Sequence, residues 1–196
     1  MKERTFSRRA LVGGAAALAC GAGVVAAQAP AAKPEPQAPV PTALPKPRTV
    51  VLVRHAEKAA DDPRDPTLSE AGKLRAAALL RVLGETRVTH VWTSEFKRTK
   101  DTAAPVAARA KVTPVEVPGK DLPVLAARLK ELAPGSIALV VGHSNTLPAL
   151  AKALGAPLSN LANGTDLRDD EYDRLSVITL AQEGLDSGLL ELRYGA

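Results

Sequence analysis

Short apolar strands alternate with amphipathic helices from residue 49 onward, and this alternation constrains the fold more than any other feature. Strands are predicted over residues 49–53, 88–93, 112–117, 136–142, 175–181 and 188–193. Helices are predicted over residues 69–83, 97–109, 121–132 and 145–154. Regular alternation of this kind is typical of a parallel sheet with helices packed on both faces. We therefore predict an α/β three-layer sandwich with a mostly parallel central sheet.

Two strand segments refine this prediction. Residues 136–141 form a continuous apolar run, as expected for a central strand that is covered on both faces. The last two strands are separated only by a short segment around Glu183-Gly184 and Ser187-Gly188. A short connection with turn residues favours a hairpin, so we predict an antiparallel edge to the sheet.

The first 29 residues have the features of an export signal. A basic start is followed by an uncharged apolar core at 10–19, and Ala27-Gln28-Ala29 fits a signal peptidase site. The run Ser7-Arg8-Arg9 resembles a twin-arginine signal, which predicts a periplasmic or otherwise exported protein. The apolar core is shorter than the roughly 20 residues that a membrane span needs. Cys20, the only cysteine, leaves lipoprotein attachment as a minor alternative.

A proline-rich linker is predicted over residues 30–47, since such a composition forms an extended tether without a core. Residues 48–196 are then of a length that suits one domain. The net charge of +5 comes largely from the export segment, and without it 22 Lys and Arg face 20 Asp and Glu. This balance does not predict nucleic-acid binding.

Arg54 and His55 directly follow the first predicted strand. Open α/β sheets place their ligands at the carboxyl ends of the strands, so both side chains are expected at such a site. A guanidinium there holds a phosphate while a neutral imidazole attacks the phosphorus atom. The pair alone is a weak signal for phosphate chemistry, because Arg-His after a strand also arises by chance in a surface loop.

Two further strand ends supply similar residues. Arg98 lies in the first turn of the helix after the second strand, and Gly142-His143-Ser144 follows the fourth strand. Gly142 permits close backbone approach, and the free amide of Ser144 at a helix start suits an anion. Taken singly, Arg98 reads as a solvated helix arginine and His143 as a structural histidine. Together with Arg54 and His55 they form the set that a phosphate pocket needs.

With these motifs the chain resembles the histidine phosphatase (phosphoglycerate mutase-like) superfamily. The resemblance covers nearly all of residues 49–196 and rests on RHAEK at 54–58, DPTLSEAG at 65–72, SEFKRTKDTA at 94–103, GHSNT at 142–146 and a closing EYDRLSVITL segment. It implies a phosphoglycerate mutase-like fold and a domain of the small branch-1 type.

The resemblance also implies roles for the site residues. His55 would be the nucleophile that forms a phosphohistidine, and Arg54, Arg98 and His143 would hold the phosphoryl oxygens. The amide of Ser144 would add a further donor. No metal or other cofactor is implied, and His90 lies on the second predicted strand, away from His55 and His143.

The remaining assignments are open. Lys58 either contacts the substrate's phosphate or is a solvated lysine. Ala56 stands where many relatives have glycine, a change that activity should tolerate. Asp121 is the preferred general acid, although it also suits a helix N-cap. Its rivals are Glu57, Glu116, Asp169, Asp170, Glu171 and Asp173.

The sequence thus predicts an exported phosphatase that hydrolyses phosphate monoesters. A phosphohistidine protein phosphatase and a non-catalytic phosphate-binding module are the alternatives. The expected substrates are phosphorylated small molecules, envelope components or phosphoproteins. The sequence does not distinguish among them.

Overall fold

The first strand consists of five β-branched or aliphatic residues followed by an arginine, and it belongs to a six-stranded sheet. The computed structural model describes residues 46–182 and 185–195. The strands are β1 (Thr49–Arg54), β2 (His90–Thr93), β3 (Val115–Glu116), β4 (Ile137–Gly142), β5 (Arg174–Thr179) and β6 (Gly188–Arg193). The helices are α1 (Glu70–Leu83), α2 (Lys97–Ala110), α3 (Leu122–Lys130) and α4 (Thr146–Ala153). A short 3₁₀ turn at Gly119–Asp121 precedes α3.

The strand order across the sheet is β3-β2-β4-β1-β5-β6. The first four strands in this order are parallel to one another, whereas β5 and β6 run antiparallel to their neighbours. The predicted mostly parallel sheet with an antiparallel edge is therefore confirmed. The turn predicted at Glu183-Gly184 lies outside the described residues.

Side chains that alternate along the central strands pack into two separate hydrophobic cores, one on each face of the sheet. Val50 and Leu52 of β1 point to the side of α3 and α4, where Leu129 and Leu150 are almost fully buried. Val51 and Val53 point to the opposite side and pack with α1 and α2. This two-sided burial, which follows from the period of two along a strand, gives the predicted three layers.

Side-chain caps set where two helices begin. The Ser69 hydroxyl accepts a hydrogen bond from the Gly72 amide, which starts α1. The Asp65 carboxylate accepts a 2.8 Å bond from the Lys97 amide at the start of α2. Both carboxylate and hydroxyl caps satisfy amides that the first helical turn leaves without a partner.

The third strand is much shorter than the predicted segment 112–117. Pro114 has no amide hydrogen to donate, so pairing with β2 starts only at Val115. The predicted export segment and linker up to residue 45, with Cys20, lie outside the described residues. Within the described ranges, the helices are all too short or too polar to cross a membrane.

Candidate active site

The parallel pairing of β1, β2 and β4 brings three strand ends to one edge of the sheet. Arg54 lies opposite Gly142 in the register of β1 and β4, and Thr93 lies opposite Val141. His55 continues this pairing, because its amide donates a 2.9 Å bond to the Gly142 carbonyl. The residues that follow these strands are therefore neighbours in space although they are up to 90 positions apart in the chain.

A cavity of about 660 Å³ opens at this edge. It is large enough for a small organic substrate. Six of the predicted site residues line it, namely Arg54, His55, Lys58, Arg98, His143 and Ser144. Lys120, from the 3₁₀ turn before α3, also lines it. The cavity therefore gathers four basic side chains and two histidines, a composition that suits a phosphate group.

Gly142 allows the close approach that places His143 in this cavity. A Cβ atom at Gly142 would lie 2.7 Å from the Leu147 side chain, which is too close for a real contact. The Thr146 hydroxyl accepts a 2.9 Å bond from the His143 amide and so fixes the turn between β4 and α4. Any side chain at position 142 would push the histidine away from the sheet edge.

His55 is held in the tautomer that a nucleophile requires. Its Nδ1 lies 2.8 Å from the carbonyl oxygen of Ala56, and a carbonyl only accepts hydrogen bonds. Nδ1 therefore carries the hydrogen, and Nε2 of the neutral ring keeps its lone pair. The ring is almost fully buried, and its centroid lies 5.3 Å from that of His143.

Both histidines are strongly biased toward the neutral form. The pKa of His55 is lowered to about 3, mainly by burial; the bond to Ala56 opposes this change, whereas His143 and the positive charges of Arg54 and Arg98 add to it. Burial lowers the pKa of His143 to about 4, with Arg98 acting in the same direction. Removing a cation from water and placing it beside other cations both disfavour protonation.

We expect neither histidine to be protonated in the free protein at pH 5.5. In the unfolded chain both groups have a pKa near 6.5, so protonation opposes folding and lowers the free energy of unfolding as the pH falls from about 6.5 toward 3. NMR of the ¹⁵N-labelled imidazoles between pH 8 and pH 5 should show no titration of either ring. The His55→Ala and His143→Ala variants assign the signals. A His55 midpoint near 6.5 would show that the buried, cation-flanked geometry is wrong.

Arg54 is anchored by backbone rather than by a carboxylate. One of its terminal nitrogens, Nη1, donates to the carbonyls of Arg168 at 2.8 Å, Asp169 at 3.0 Å and Glu171 at 3.2 Å. Its guanidinium also lies 4.2 Å from the centre of the Tyr172 ring, a cation–π contact. Its buried Nε has no hydrogen-bond partner in the described part of the chain. In the described part of the chain, the partners of this guanidinium are therefore carbonyls and an aromatic ring rather than a carboxylate.

Arg98 reaches the same cavity from the first turn of α2. Its guanidinium lies 4.1 Å from the centre of the Phe96 ring and 3.9 Å from the nearest Asp65 carboxylate oxygen. Burial lowers the pKa of Arg98, whereas Asp65 and Glu95 oppose that change. Arg98 nevertheless stays protonated at neutral pH, because a guanidinium is far more basic than water at that pH. Arg98 is therefore a second fixed cation beside His55.

His143 is oriented by a chain of hydroxyl groups. Its Nε2 lies 2.9 Å from Oγ of Ser94, which in turn lies 3.0 Å from Oγ1 of Thr99. Thr99 donates to the Phe96 carbonyl at 2.8 Å. Because Ser94 occupies Nε2, the Nδ1 side of the ring remains available to a ligand. Ser94 and Thr99 lie within the SEFKRTKDTA motif, but the sequence did not indicate this contact.

The candidate general acids differ in whether they line the cavity. Asp121 ends the 3₁₀ turn before α3; it does not line the cavity, and its side chain makes no capping bond either. Glu116 pairs with Lys100 at 2.7 Å, Glu57 pairs with Arg75 at 2.7 Å, and Glu171 is buried against Arg174. Of the predicted carboxylates, only Asp169 lines the cavity; Asp166, which was not among them, lines it as well.

The remaining candidate residues lie outside the cavity or have structural contacts. Asp173 pairs with Arg193 at 2.6 Å, and Asp170 is exposed near Arg168. His90 stacks on Trp92 with the ring centroids 5.3 Å apart, away from the cavity. Ala56 is fully buried, and its amide donates to the Thr102 hydroxyl at 2.9 Å. Over residues 46–182 and 185–195, no three His, Cys, Asp or Glu side chains are grouped as a metal site requires.

The model of the histidine phosphatase superfamily (branch 1) matches residues 50–119 of this chain. The matched segment contains Arg54, His55 and Arg98, whereas His143 and Ser144 lie beyond it. The resemblance predicted from the motifs is thereby confirmed. None of the curated protein sequences compared with the chain matches it significantly.

Solved structures confirm the predicted phosphoglycerate mutase-like fold. The protein histidine phosphatase SixA complexed with tungstate has a TM-score of 0.57 at 19% identity, with 74% of this chain and 96% of that chain covered. The alpha-ribazole phosphatase of Shigella flexneri has a TM-score of 0.59 at 18% identity, and the match covers 74% of this chain and 96% of that chain. A Nakamurella multipartitia protein assigned as SixA has a TM-score of 0.56 at 25% identity, covering 78% and 99%.

Proposed function

We propose that this protein is a phosphatase that hydrolyses phosphate monoesters through a phosphohistidine at His55. The observation that carries the proposal is the state of His55 itself. Its Nδ1 donates to the Ala56 carbonyl, so the lone pair of Nε2 is free, and Arg54 and Arg98 stand beside it as fixed cations. A neutral nucleophile between two guanidinium groups is the arrangement that phosphoryl transfer to histidine needs.

The proposed reaction has two steps. In the first, Nε2 of His55 attacks phosphorus, a P–N bond forms, and the bond from phosphorus to the leaving oxygen breaks. Arg54, Arg98, His143 and the Ser144 amide hold the phosphoryl oxygens, and their donors neutralise charge in the transition state. In the second, water attacks phosphorus and the P–N bond breaks, which releases inorganic phosphate and restores His55.

The leaving alkoxide needs a proton in the first step. Asp169 and Asp166 are the carboxylic acids that line the cavity, so they replace Asp121 as the proposed proton donors. A leaving group of low basicity, such as an aryl oxide, requires no such donor. Lys58 and Lys120 also line the cavity and would attract anionic substrates to it.

A phosphohistidine protein phosphatase is the second candidate. It is favoured by the likeness to SixA, since the matched region covers 96% of that chain and leaves little of it without a counterpart here. The same nucleophile and cations would serve, because transfer from a phosphohistidine also ends on His55. The two candidates differ only in the leaving group.

The N-terminal sequence supports a location outside the cytoplasm for either candidate. Its basic start, apolar core and twin-arginine run are features of export signals. We accordingly propose a periplasmic or otherwise exported enzyme, whose substrates are phosphorylated small molecules, envelope components or phosphoproteins. The near balance of charge after residue 29 gives no support for a nucleic-acid partner.

Phosphate release and phosphoenzyme trapping test this proposal. The purified protein should hydrolyse p-nitrophenyl phosphate, should be inhibited by tungstate, and should retain acid-labile, alkali-stable label after rapid quenching with a ³²P-labelled substrate. A phosphohistidine peptide in the same assay separates the two candidates by relative kcat/KM. Tight tungstate binding without turnover of either substrate would contradict both and favour a non-catalytic phosphate-binding module.

A further inference from the structure

A second cavity, of about 420 Å³, adjoins the candidate active site. Asn145 and Asp166 line both cavities, so the two meet at these residues. The lining changes in character across this junction. The active-site cavity presents basic side chains, whereas the second cavity is lined mainly by Pro148, Ala149, Pro157, Leu158 and Leu161. We call this second cavity the apolar groove.

Backbone hydrogen bonds fix the outer wall of the apolar groove. Ala162 and Asp166 pair through bonds of 2.7 Å and 3.1 Å, which close a turn around Asn163 and Gly164. Both turn residues have positive φ, at 52° and 74°, as such a reversal requires. The segment is thus shaped before any ligand binds.

The same segment is tied to the phosphate-binding loop. The Leu167 amide donates a 3.0 Å bond to the carbonyl of Ser144, which lines the active-site cavity. Leu158 is only 7% exposed, and Leu161 packs against the core under α3 and α4. The apolar groove therefore keeps a fixed position relative to the phosphoryl group.

Charge limits what the apolar groove can hold. Its charged lining residues are Lys152 and Asp166, and Asp166 lies at the junction where it would repel a second anionic group. Its described lining contains no aromatic ring on which a base or a sugar would stack. An uncharged, flexible, apolar chain is the occupant that matches this surface.

We propose that the apolar groove binds the alkyl part of amphipathic phosphate monoesters while their phosphoryl group lies beside His55. The proposal rests on the phosphatase function proposed above and names its substrate class as phosphate esters of long-chain alcohols. The ester oxygen would lie near the junction at Asn145 and Asp166, where Asp166 or the neighbouring Asp169 protonates the departing alcohol.

A chain-length series tests this inference. Butyl, hexyl and octyl phosphate have leaving groups of nearly equal basicity, so differences among them report binding of the chain. A fully buried methylene strengthens binding about fourfold, and one that is half exposed about twofold, so kcat/KM should rise about 16-fold from butyl to octyl. The assay measures phosphate release below the micelle concentration of each ester.

Two substitutions locate the effect in the apolar groove. Ala149→Trp fills it from an exposed position on α4, and Leu161→Asp places a charge in it. Each should reduce the octyl-to-butyl ratio of kcat/KM to about 1–2, within one twofold step of no preference. Leu74→Asp is the matched control, because Leu74 is 71% exposed on α1 and lines neither cavity. Circular dichroism verifies that each variant is folded.

The outcomes separate this inference from the proposed function. Hydrolysis of all three esters at equal kcat/KM would overturn the apolar groove as a substrate site and leave the phosphatase standing. A length preference that survives Ala149→Trp would also overturn it. Failure to hydrolyse any phosphate ester, including the aryl ester, would instead refute the proposed function on which it rests.

Discussion

Replacing His55 with alanine should abolish phosphate ester hydrolysis, lowering kcat by at least about 10⁴-fold. The ring nitrogen that forms the P–N bond is then absent, and no neighbour can replace it. His143 lies 5.3 Å away between ring centroids, and its Nε2 is engaged by Ser94. Residual turnover would come only from water attacking a phosphate that the two arginines still hold. Stopped-flow phosphate release and phosphoenzyme trapping measure the loss.

The His55→Ala variant should nevertheless still bind tungstate. The cations and the Ser144 amide that hold an oxyanion are unchanged, and removing a buried neutral ring leaves room for the ligand. His90→Ala is the matched control, because His90 stacks on Trp92 outside the cavity, and it should keep full activity. Trapped phosphate in His55→Ala, or turnover equal to the wild type, would remove His55 as the nucleophile.

The sheet could be predicted from the sequence because the patterns that indicate strands and helix ends lie within short segments of the chain. A run of β-branched residues such as Thr49–Val53 strongly favours a buried strand. The start and the end of α1 were equally local, because the Ser69 hydroxyl caps its first turn and Gly84 ends it. The parallel order also follows from the alternation of strands and helices. Once these strands are parallel, Arg54, His55 and His143 must meet at one edge.

The parts of the site that the sequence missed depend on contacts through space. Residues 157–173 contain no helical or strand periodicity, so nothing local indicated that their carbonyls would surround Arg54. For a related reason the sequence left the choice between Asp121 and its rival Asp169 open. Both aspartates follow irregular segments, and only the three-dimensional path of these segments decides which of the two residues lines the cavity.

Packing explains why some polar residues that looked catalytic are structural. Glu57 follows the RHAEK histidine by two positions, yet its carboxylate is occupied by Arg75 at 2.7 Å. Glu171 lies in the acidic cluster but is buried, with Arg174 at 2.8 Å. Hydrogen bonds to the arginines lower the pKa of Glu171 against the raising effect of burial, so it remains a carboxylate. Both carboxylates are thus engaged by arginines rather than placed beside a leaving group.

Arg54→Lys should lower kcat/KM by about 10²- to 10³-fold although the positive charge is kept. The Arg54 side chain has two roles: its Nη1 donates to three backbone carbonyls, and the residue also lines the active-site cavity. An ammonium is a single point, so it either leaves those carbonyls without a donor or leaves the phosphate. Unpaired carbonyls should also lower the free energy of unfolding by about 1–3 kcal/mol. Steady-state kinetics and urea denaturation measure the two effects.

Two further variants separate the charge of Arg54 from its placement. Tyr172→Phe keeps the ring face 4.2 Å from the guanidinium and should retain activity within about threefold, since the cation–π contact survives. Arg87→Lys, at an exposed position after α1, should change neither kinetics nor stability. If Arg54→Lys instead kept kcat/KM within threefold of the wild type, charge alone would suffice. The three carbonyls that accept from Nη1 would then have no part in orienting Arg54 toward the phosphate.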